Sequence, residues 1–398
     1  MLDGPNLYFP RPAIKLTLGV QAWSAMEADR FAAAVERIGS GGRTGEPGTD
    51  QRHRAIARMA SHLTRRLAVA GDVRLGVRSR PGPEPDQVVV AFPWRRLGTA
   101  KTAATQVARL LDAARDGRLS VDRLISEATA RVSRAKAGEE TSVPDPAIPT
   151  ILVTGTNGKT TTVRLLAHLV RSADRTVAYS STDGVYRGDG ELVEAGDYSG
   201  FGGAGKALEQ EPDVAVLETA RGGILLRGIG VLFNDVAVVT NISEDHLDLH
   251  GIHTLDQLAE VKATITKITR PDGWAVLNAD DPRVLSMRRG ATGRPWLCSR
   301  DPDNPAIRAV LGEGGRATVP LDGWLTVLAG SRSRPLVPLL DVPLTIAGIS
   351  GHNVMNAMQA ASAALGIGLP ERAVVRGLRS FVMDPERSEE HTSELQSQ

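Results

Sequence analysis

The sequence predicts an α/β fold, a doubly wound and mostly parallel sheet over residues 150–376, preceded by a small α+β domain. Three observations predict it. From Thr150 onward, short and almost continuously apolar strands alternate with amphipathic stretches, the pattern of a sheet covered on both faces. One of those strands runs into Gly155-Thr-Asn-Gly-Lys-Thr160 and then a helix, which is the build of a phosphate cradle. The other chemistry-bearing residues fall where strands end, and in such sheets ligands sit at the carboxyl ends of the strands.

Residues 1–135 read as a compact α+β unit. Apolar residues at helical spacing (Ile56, Met59, Leu63, Leu67) predict a helix over 55–69, and Ala103, Val107, Leu110 and Leu111 predict another over 98–114. Segments 73–77 and 87–94 read as strands, the second central because it is apolar throughout. Residues 41–51, rich in Gly and Thr, read as a surface loop. No catalytic constellation stands out here. Residues 136–149 are polar and proline-rich, as a linker is. Beyond it, strands are expected at 151–154, 176–180, 214–218, 236–240 and 274–277, with helices at 160–171, 205–210 and 254–268.

Composition narrows the function classes. With 41% hydrophobic residues the chain can bury sizeable cores, which argues against disorder. The lone Cys298 excludes an internal disulfide framework and suits a reducing cytoplasm. The first residues have neither the cationic start nor the apolar core of a signal peptide. No apolar run approaches the ~20 residues of a membrane span, so a cytoplasmic location without a membrane partner is expected. Net charge is +1, yet residues 1–150 hold 23 Lys+Arg against 16 Asp+Glu. That excess would suit an acidic partner or simply an arginine-rich surface.

In the cradle, the loop amides and the positive end of the following helix face an anion. Gly155, Thr156, Asn157, Gly158, Lys159, Thr160 and Thr161 are the nucleotide-binding candidates. Lys159 would reach the β- and γ-phosphates, and the Thr160 hydroxyl would hold magnesium. Two residues, rather than the usual four, separate the glycines, which marks a narrower class of loop. Glu218 closes an apolar strand, where a carboxylate suits a hard cation beside phosphates. The segment after the next strand carries Asp245, His246 and His250. Lys262 flanks the apolar face of the predicted helix 254–268, whereas Lys267 points to water. A lysine held there is costly while protonated, and a free amine captures carbon dioxide as a carbamate, an anionic bridge for magnesium.

The separated motifs Gly155-Thr-Asn-Gly-Lys-Thr160, Asn241 through Asp245-His246 to Lys262, Asn278-Ala-Asp-Asp281 and Gly351-His-Asn-Val-Met-Asn356 appear in one order. Over about residues 150–385 they resemble the Mur ligase superfamily, the ATP-dependent acid–amino acid ligases. Thr182-Asp-Gly-Val-Tyr186 and Glu218-Thr-Ala-Arg-Gly-Gly-Ile224 look most like the ligase module of cyanophycin synthetases, as Leu2-Asp-Gly-Pro-Asn6 and the strand 88–94 look like their first domain. The ATP-grasp module that separates those parts is absent here, since the linker leads directly to Ile151.

The resemblance implies a two-stage reaction: a carboxylate attacks the γ-phosphate of ATP to give an acyl phosphate, and an amino acid then displaces phosphate. It implies catalytic roles for Lys159, His246 and Lys262, and a metal site of Thr160, Glu218 and His246. Two magnesium ions are expected, the second supported by carbamylated Lys262. Asn278, His352 and Asn353 would contact adenine or an interdomain hinge, and Asp183 and Arg221 would line the acceptor pocket. The cyanophycin-like segments point to an aspartate-rich peptide or dipeptide as acceptor, with no nucleic acid partner. A nucleotide-binding regulatory or scaffold protein that has lost ligation is the alternative. Residues 377–386 read as the start of a third, truncated domain, and 387–398 as the in-frame translation of a sequencing adapter. Poor turnover is therefore expected of the chain as written.

Overall fold

The structure, a computed structural model, describes residues 1–140, 143–188, 190–244, 247 and 251–383. The chain divides into two units: Met1–Val143 with Leu225–Ile229 and His246–His253, and Pro144–Ile224 with Gly230–Asp245 and Thr254–Gln398.

The first unit runs β1 (Ala13–Gly19), α1 (Gln21–Ser24), α2 (Ala28–Ile38), α3 (Asp50–Ala70), β2 (Arg78–Pro81), β3 (Gln87–Pro93), α4 (Leu97–Asp116) and α5 (Val121–Ser133). Its three-stranded antiparallel sheet has the order β1-β3-β2. The uniformly apolar β3 takes the centre, and Val88, Val90 and Phe92 pack against Trp23, Phe31, Ile56 and Leu63. A buried charge in this core is satisfied: Arg52 donates to the Met26 carbonyl at 2.6 Å and to the Gly45 carbonyl at 2.9 Å, and lies over the Phe31 ring. The strand expected at 73–77 does not form. Val73 is half exposed, and pairing begins instead at the polar Arg78-Ser-Arg-Pro81, because an edge strand needs backbone partners on one side only. Helix α3 starts earlier than its apolar pattern, at Asp50, where the Thr49 side chain caps it by accepting from the Arg52 amide.

The second unit contains β4 (Thr150–Thr154), α6 (Lys159–Ser172), β5 (Val177–Ser180), β6 (Gly184–Arg187), β7 (Glu191–Ala195), α7 (Phe201–Leu208), β8 (Val214–Glu218), α8 (Arg221–Leu226) and β9 (Asn234–Val239). It continues with α9 (Leu255–Lys262), β10 (Thr269–Asn278), α10 (Pro282–Ser286), β11 (Arg294–Cys298), α11 (Pro305–Gly312), β12 (Arg316–Leu321), β13 (Trp324–Ala329), β14 (Arg332–Pro338), α12 (Gly351–Gly366) and α13 (Glu371–Ser380). The strands form an 11-stranded sheet of order β14-β13-β12-β11-β10-β9-β4-β8-β5-β6-β7. From β12 to β5 every pairing is parallel, and both flanks are antiparallel. This is the expected doubly wound, mostly parallel sheet.

Its core strands are fully buried because helices cover them, and Ile151, Val153, Val216, Val238 and Val276 are inaccessible to solvent. Each such side chain contributes about 1.5–3 kcal/mol relative to exposure. Helix α12 presents Ala357, Ala360, Ala361 and Ala364 to this core, and small side chains let it approach closely. The helix expected over 254–268 stops being α-helical at Lys262, and Ala263–Ile268 continues as a 3₁₀ helix. Thr266 and Thr269 there donate to the Ala263 and Ile265 carbonyls, competing with the regular ladder.

Strand β4 lies between β8 and β9, and the chain visits one flank through β5 and the other through β10. The strand order thus reverses beside β4, and the crevice at such a point opens at the carboxyl ends of the strands.

Candidate functional site

At the carboxyl end of β4 the chain turns through Gly155 and Gly158, with φ of 151° and 81°. A Cβ on Gly155 would lie 1.8 Å from Thr240 Oγ1, and one on Gly158 would lie 2.5 Å from Asn356 Oδ1, so both positions need glycine twice over. The loop is braced by the end of β9. Thr240 Oγ1 donates to the Asn157 carbonyl at 2.6 Å, Asn241 Oδ1 accepts from the Asn157 amide at 3.0 Å, and the Thr156 amide donates to the Asn241 carbonyl. Lys159 Nζ folds back onto the Thr156 carbonyl at 2.8 Å. Thr161 follows Thr160 on α6 and, with Arg164, His168 and Phe381, lines a cavity of about 290 Å³.

Thr160 Oγ1 donates to Glu218 Oε2 at 2.9 Å, which joins the first turn of α6 to the end of β8. Glu218 is 2% exposed, and its other oxygen, Oε1, has no hydrogen-bond partner among the described residues. Burial pushes the Glu218 carboxyl above the usual carboxylate range, against the opposing pull of Lys159 and of the Thr160 hydrogen bond. A buried carboxylate oxygen without a donor, beside a hydroxyl, is a hard-oxygen set that fits magnesium. Among the described residues no cluster of three His, Cys, Asp or Glu side chains exists. His246, the third expected ligand, lies outside the described residues, as do Asp245 and His250.

Lys262 is 3% exposed, and its Nζ donates to the Gly155 carbonyl. Lys267 is exposed. The buried lysine therefore reaches the first residue of the phosphate loop. Asp183 is bound to Arg164 Nη2 at 2.5 Å, while Arg221 opens α8 just beyond Glu218. Asn278, at the end of β10, donates to the Thr240 carbonyl at 2.8 Å and accepts from the Asp280 amide. Asp281 accepts from the Ile242 amide at 2.6 Å and caps α10. His352 and Asn353 lie in the first turn of α12, and Asn353 Oδ1 accepts from Asn356 Nδ2 at 3.4 Å. Partial desolvation, then Arg300, holds the His352 imidazole below its ordinary value.

The glycine loop, Thr160, Glu218, Lys262 and Asn278 therefore gather at adjacent strand ends. Sequence reasoning missed Arg164, whose signal was its place one helical turn after Thr160. It also missed Gln359, which donates to the Val239 carbonyl and ties α12 to β9; nothing in its local pattern marks it.

A family model described as the Mur ligase middle domain matches residues 153–364. The chain belongs to the Mur ligase family. Among curated relatives it is 43% identical to the cyanophycin synthetase of Geminocystis herdmanii over 235 residues, covering 59% of this chain and 27% of that one. It is 30% identical to the UDP-N-acetylmuramoyl-L-alanyl-D-glutamate–2,6-diaminopimelate ligase of Chlorobaculum tepidum, covering 57% of this chain and 44% of that protein. A solved ligase structure of the latter name superposes with a TM-score of 0.46 at 26% identity, over 61% of this chain and 48% of its own. The chain thus spans about a quarter of the length of the cyanophycin synthetases it matches. Membership of the Mur ligase family, and the likeness to cyanophycin synthetases, are what the ordered motifs led one to expect. No helix among the described residues is long and apolar enough to cross a membrane.

Proposed function

We propose that this Mur ligase family chain binds ATP and magnesium and forms an amide bond between a substrate carboxylate and an amino acid. The observation that carries the reading is the Thr160–Glu218 pair, with Glu218 Oε1 lacking a partner among the described residues, set beside the glycine loop. In the first stage a carboxylate oxygen attacks the γ-phosphorus, and the bond to the bridging oxygen breaks to release ADP. In the second, the amine nitrogen attacks the acyl carbon, inorganic phosphate leaves, and the nitrogen loses a proton.

The loop amides and Lys159 hold the phosphates and offset charge that develops on them. For that, Lys159 must leave the Thr156 carbonyl, to which it donates at 2.8 Å. Thr160, Glu218 and His246 would hold magnesium, which when bound neutralises phosphate-oxygen charge. Carbamylated Lys262 would support a second ion in place of its bond to Gly155. Asn278, His352 and Asn353 are assigned to the base end of the nucleotide, and Asp183 with Arg221 to the acceptor. The Arg164 ion pair holds Asp183 in one orientation. An aspartate-rich peptide or dipeptide is the acceptor favoured by the cyanophycin synthetase likeness, and the cytoplasm is the favoured location.

The test is phosphate release from ATP by the full-length gene product, with a panel of carboxylate acceptors, each with and without amino acids, in magnesium and bicarbonate. Release that needs both acceptor and amine supports the ligase. Nucleotide binding without substrate-dependent release across the panel would favour a regulatory or scaffold role instead.

A further inference from the structure

Four parallel strands, β4, β9, β10 and β11, lie side by side, so their carboxyl ends form a row. Neighbouring strands are ~4.8 Å apart, which puts the end of β11 roughly 14 Å from the phosphate loop on β4. That is the order of reach from the terminal phosphate to the base of an extended nucleoside triphosphate. Arg300 stands at the far end of this row, two residues beyond β11.

Its position is built. Asp280 Oδ2 accepts from the Arg300 amide at 3.0 Å and from Nε at 3.2 Å, while Asp280 Oδ1 accepts from Ser299 Oγ at 2.6 Å. The guanidinium lies against the first residue of α12: a Cβ on Gly351 would sit 2.6 Å from Arg300 Nη1. The Arg300 side chain is 55% exposed, and its terminal nitrogens donate to no described residue. The guanidinium is thus held at Nε by Asp280 and more than half of the side chain is exposed.

We propose that Arg300 forms the base-binding wall of the nucleotide site, with the purine ring of ATP stacked on its guanidinium plane between β11 and the start of α12. The proposal rests on the ligase reading for the presence of a nucleotide, and it adds a specificity-determining residue to it. Guanidinium planes stack on bases as aromatic rings do, and a point-charge ammonium cannot replace them in that role.

The experiment compares ATP with inorganic tripolyphosphate, which has the charge but no base, both with magnesium and titrated calorimetrically into the full chain. Arg300→Ala and Arg300→Lys should each lose about tenfold in ATP affinity and keep tripolyphosphate affinity. The lysine variant keeps the charge and the stem, so a fold defect in the alanine variant does not blunt the test. Equal losses for both probes would mean that Arg300 holds phosphate and would overturn the proposal. Unchanged ATP affinity in both variants would overturn it alone. Binding of neither probe to the unaltered chain would overturn the ligase reading with it.

Discussion

Lys262 and Gly155 stand 107 residues apart in sequence, and the lysine Nζ donates to the glycine carbonyl at the base of the phosphate loop. One buried amine thereby ties the last α-helical residue of α9 to the turn that faces the phosphates.

Lys262→Met keeps most of the stem and removes the donor, leaving the Gly155 carbonyl unpaired in a buried setting. A loss of about 1–3 kcal/mol in urea unfolding is expected, together with lost ligation. Unfolding free energy equal to that of the unaltered chain would show that the bond does not hold the loop. A carbamate resonance from ¹³C-bicarbonate, absent in the variant, tests the modification separately.

Gly158→Ala places a Cβ at φ 81° and 2.5 Å from Asn356 Oδ1. The strained backbone costs about 1–3 kcal/mol. Nucleotide affinity, read by calorimetry, should fall with stability. Adding Asn356→Ala relieves the clash but not the backbone, so full recovery in the double variant would contradict the conformational argument.

Glu218→Gln preserves shape but weakens the oxygen donor beside Thr160. The magnesium concentration for half-maximal phosphate release should rise by about 10- to 100-fold. An unchanged magnesium midpoint would remove Glu218 from the metal site.

Cys298 is fully buried, and burial pushes its thiol up to about 12. At pH 8 the native chain should resist thiol reagents that label the unfolded chain fully. Rapid labelling of the native protein, followed by mass spectrometry, would contradict its burial.

Burial and the neighbouring Arg171 hold the His168 imidazole below its ordinary value of 6.5. The unfolded chain therefore takes up the proton first as pH falls. Stability from this site is fully present above pH 6.5 and declines as pH drops below it. His168→Gln should flatten that decline in thermal melts between pH 7 and 5; an unchanged slope would assign it to other groups.

The centre of the second unit was legible because β4, β8, the later part of β9 and Trp274–Leu277 of β10 are buried, which makes those stretches almost continuously apolar. The flanks were not. Strand β14 reads Arg-Ser-Arg-Pro-Leu-Val-Pro, and β7 is mostly exposed, so neither carries a periodic signal. The glycine loop and Glu218 could be found from residue type at a strand end. Arg300 could not, since its meaning lies in Asp280 and Gly351, which only the fold brings to it.

The antiparallel flanks have a consequence for solubility. A parallel sheet this wide, ending on β12 and β5, would offer two apolar edges to other chains, and unpaired edges nucleate aggregation. Instead, the outermost strands are β14, with Pro335 and Pro338 lacking amide donors and Arg332 and Arg334 exposed, and β7, with Glu191 exposed. Proline and charge at an edge discourage an incoming strand. Replacing Pro335 and Pro338 with β-branched residues should therefore turn the β14 side into a template for intermolecular pairing.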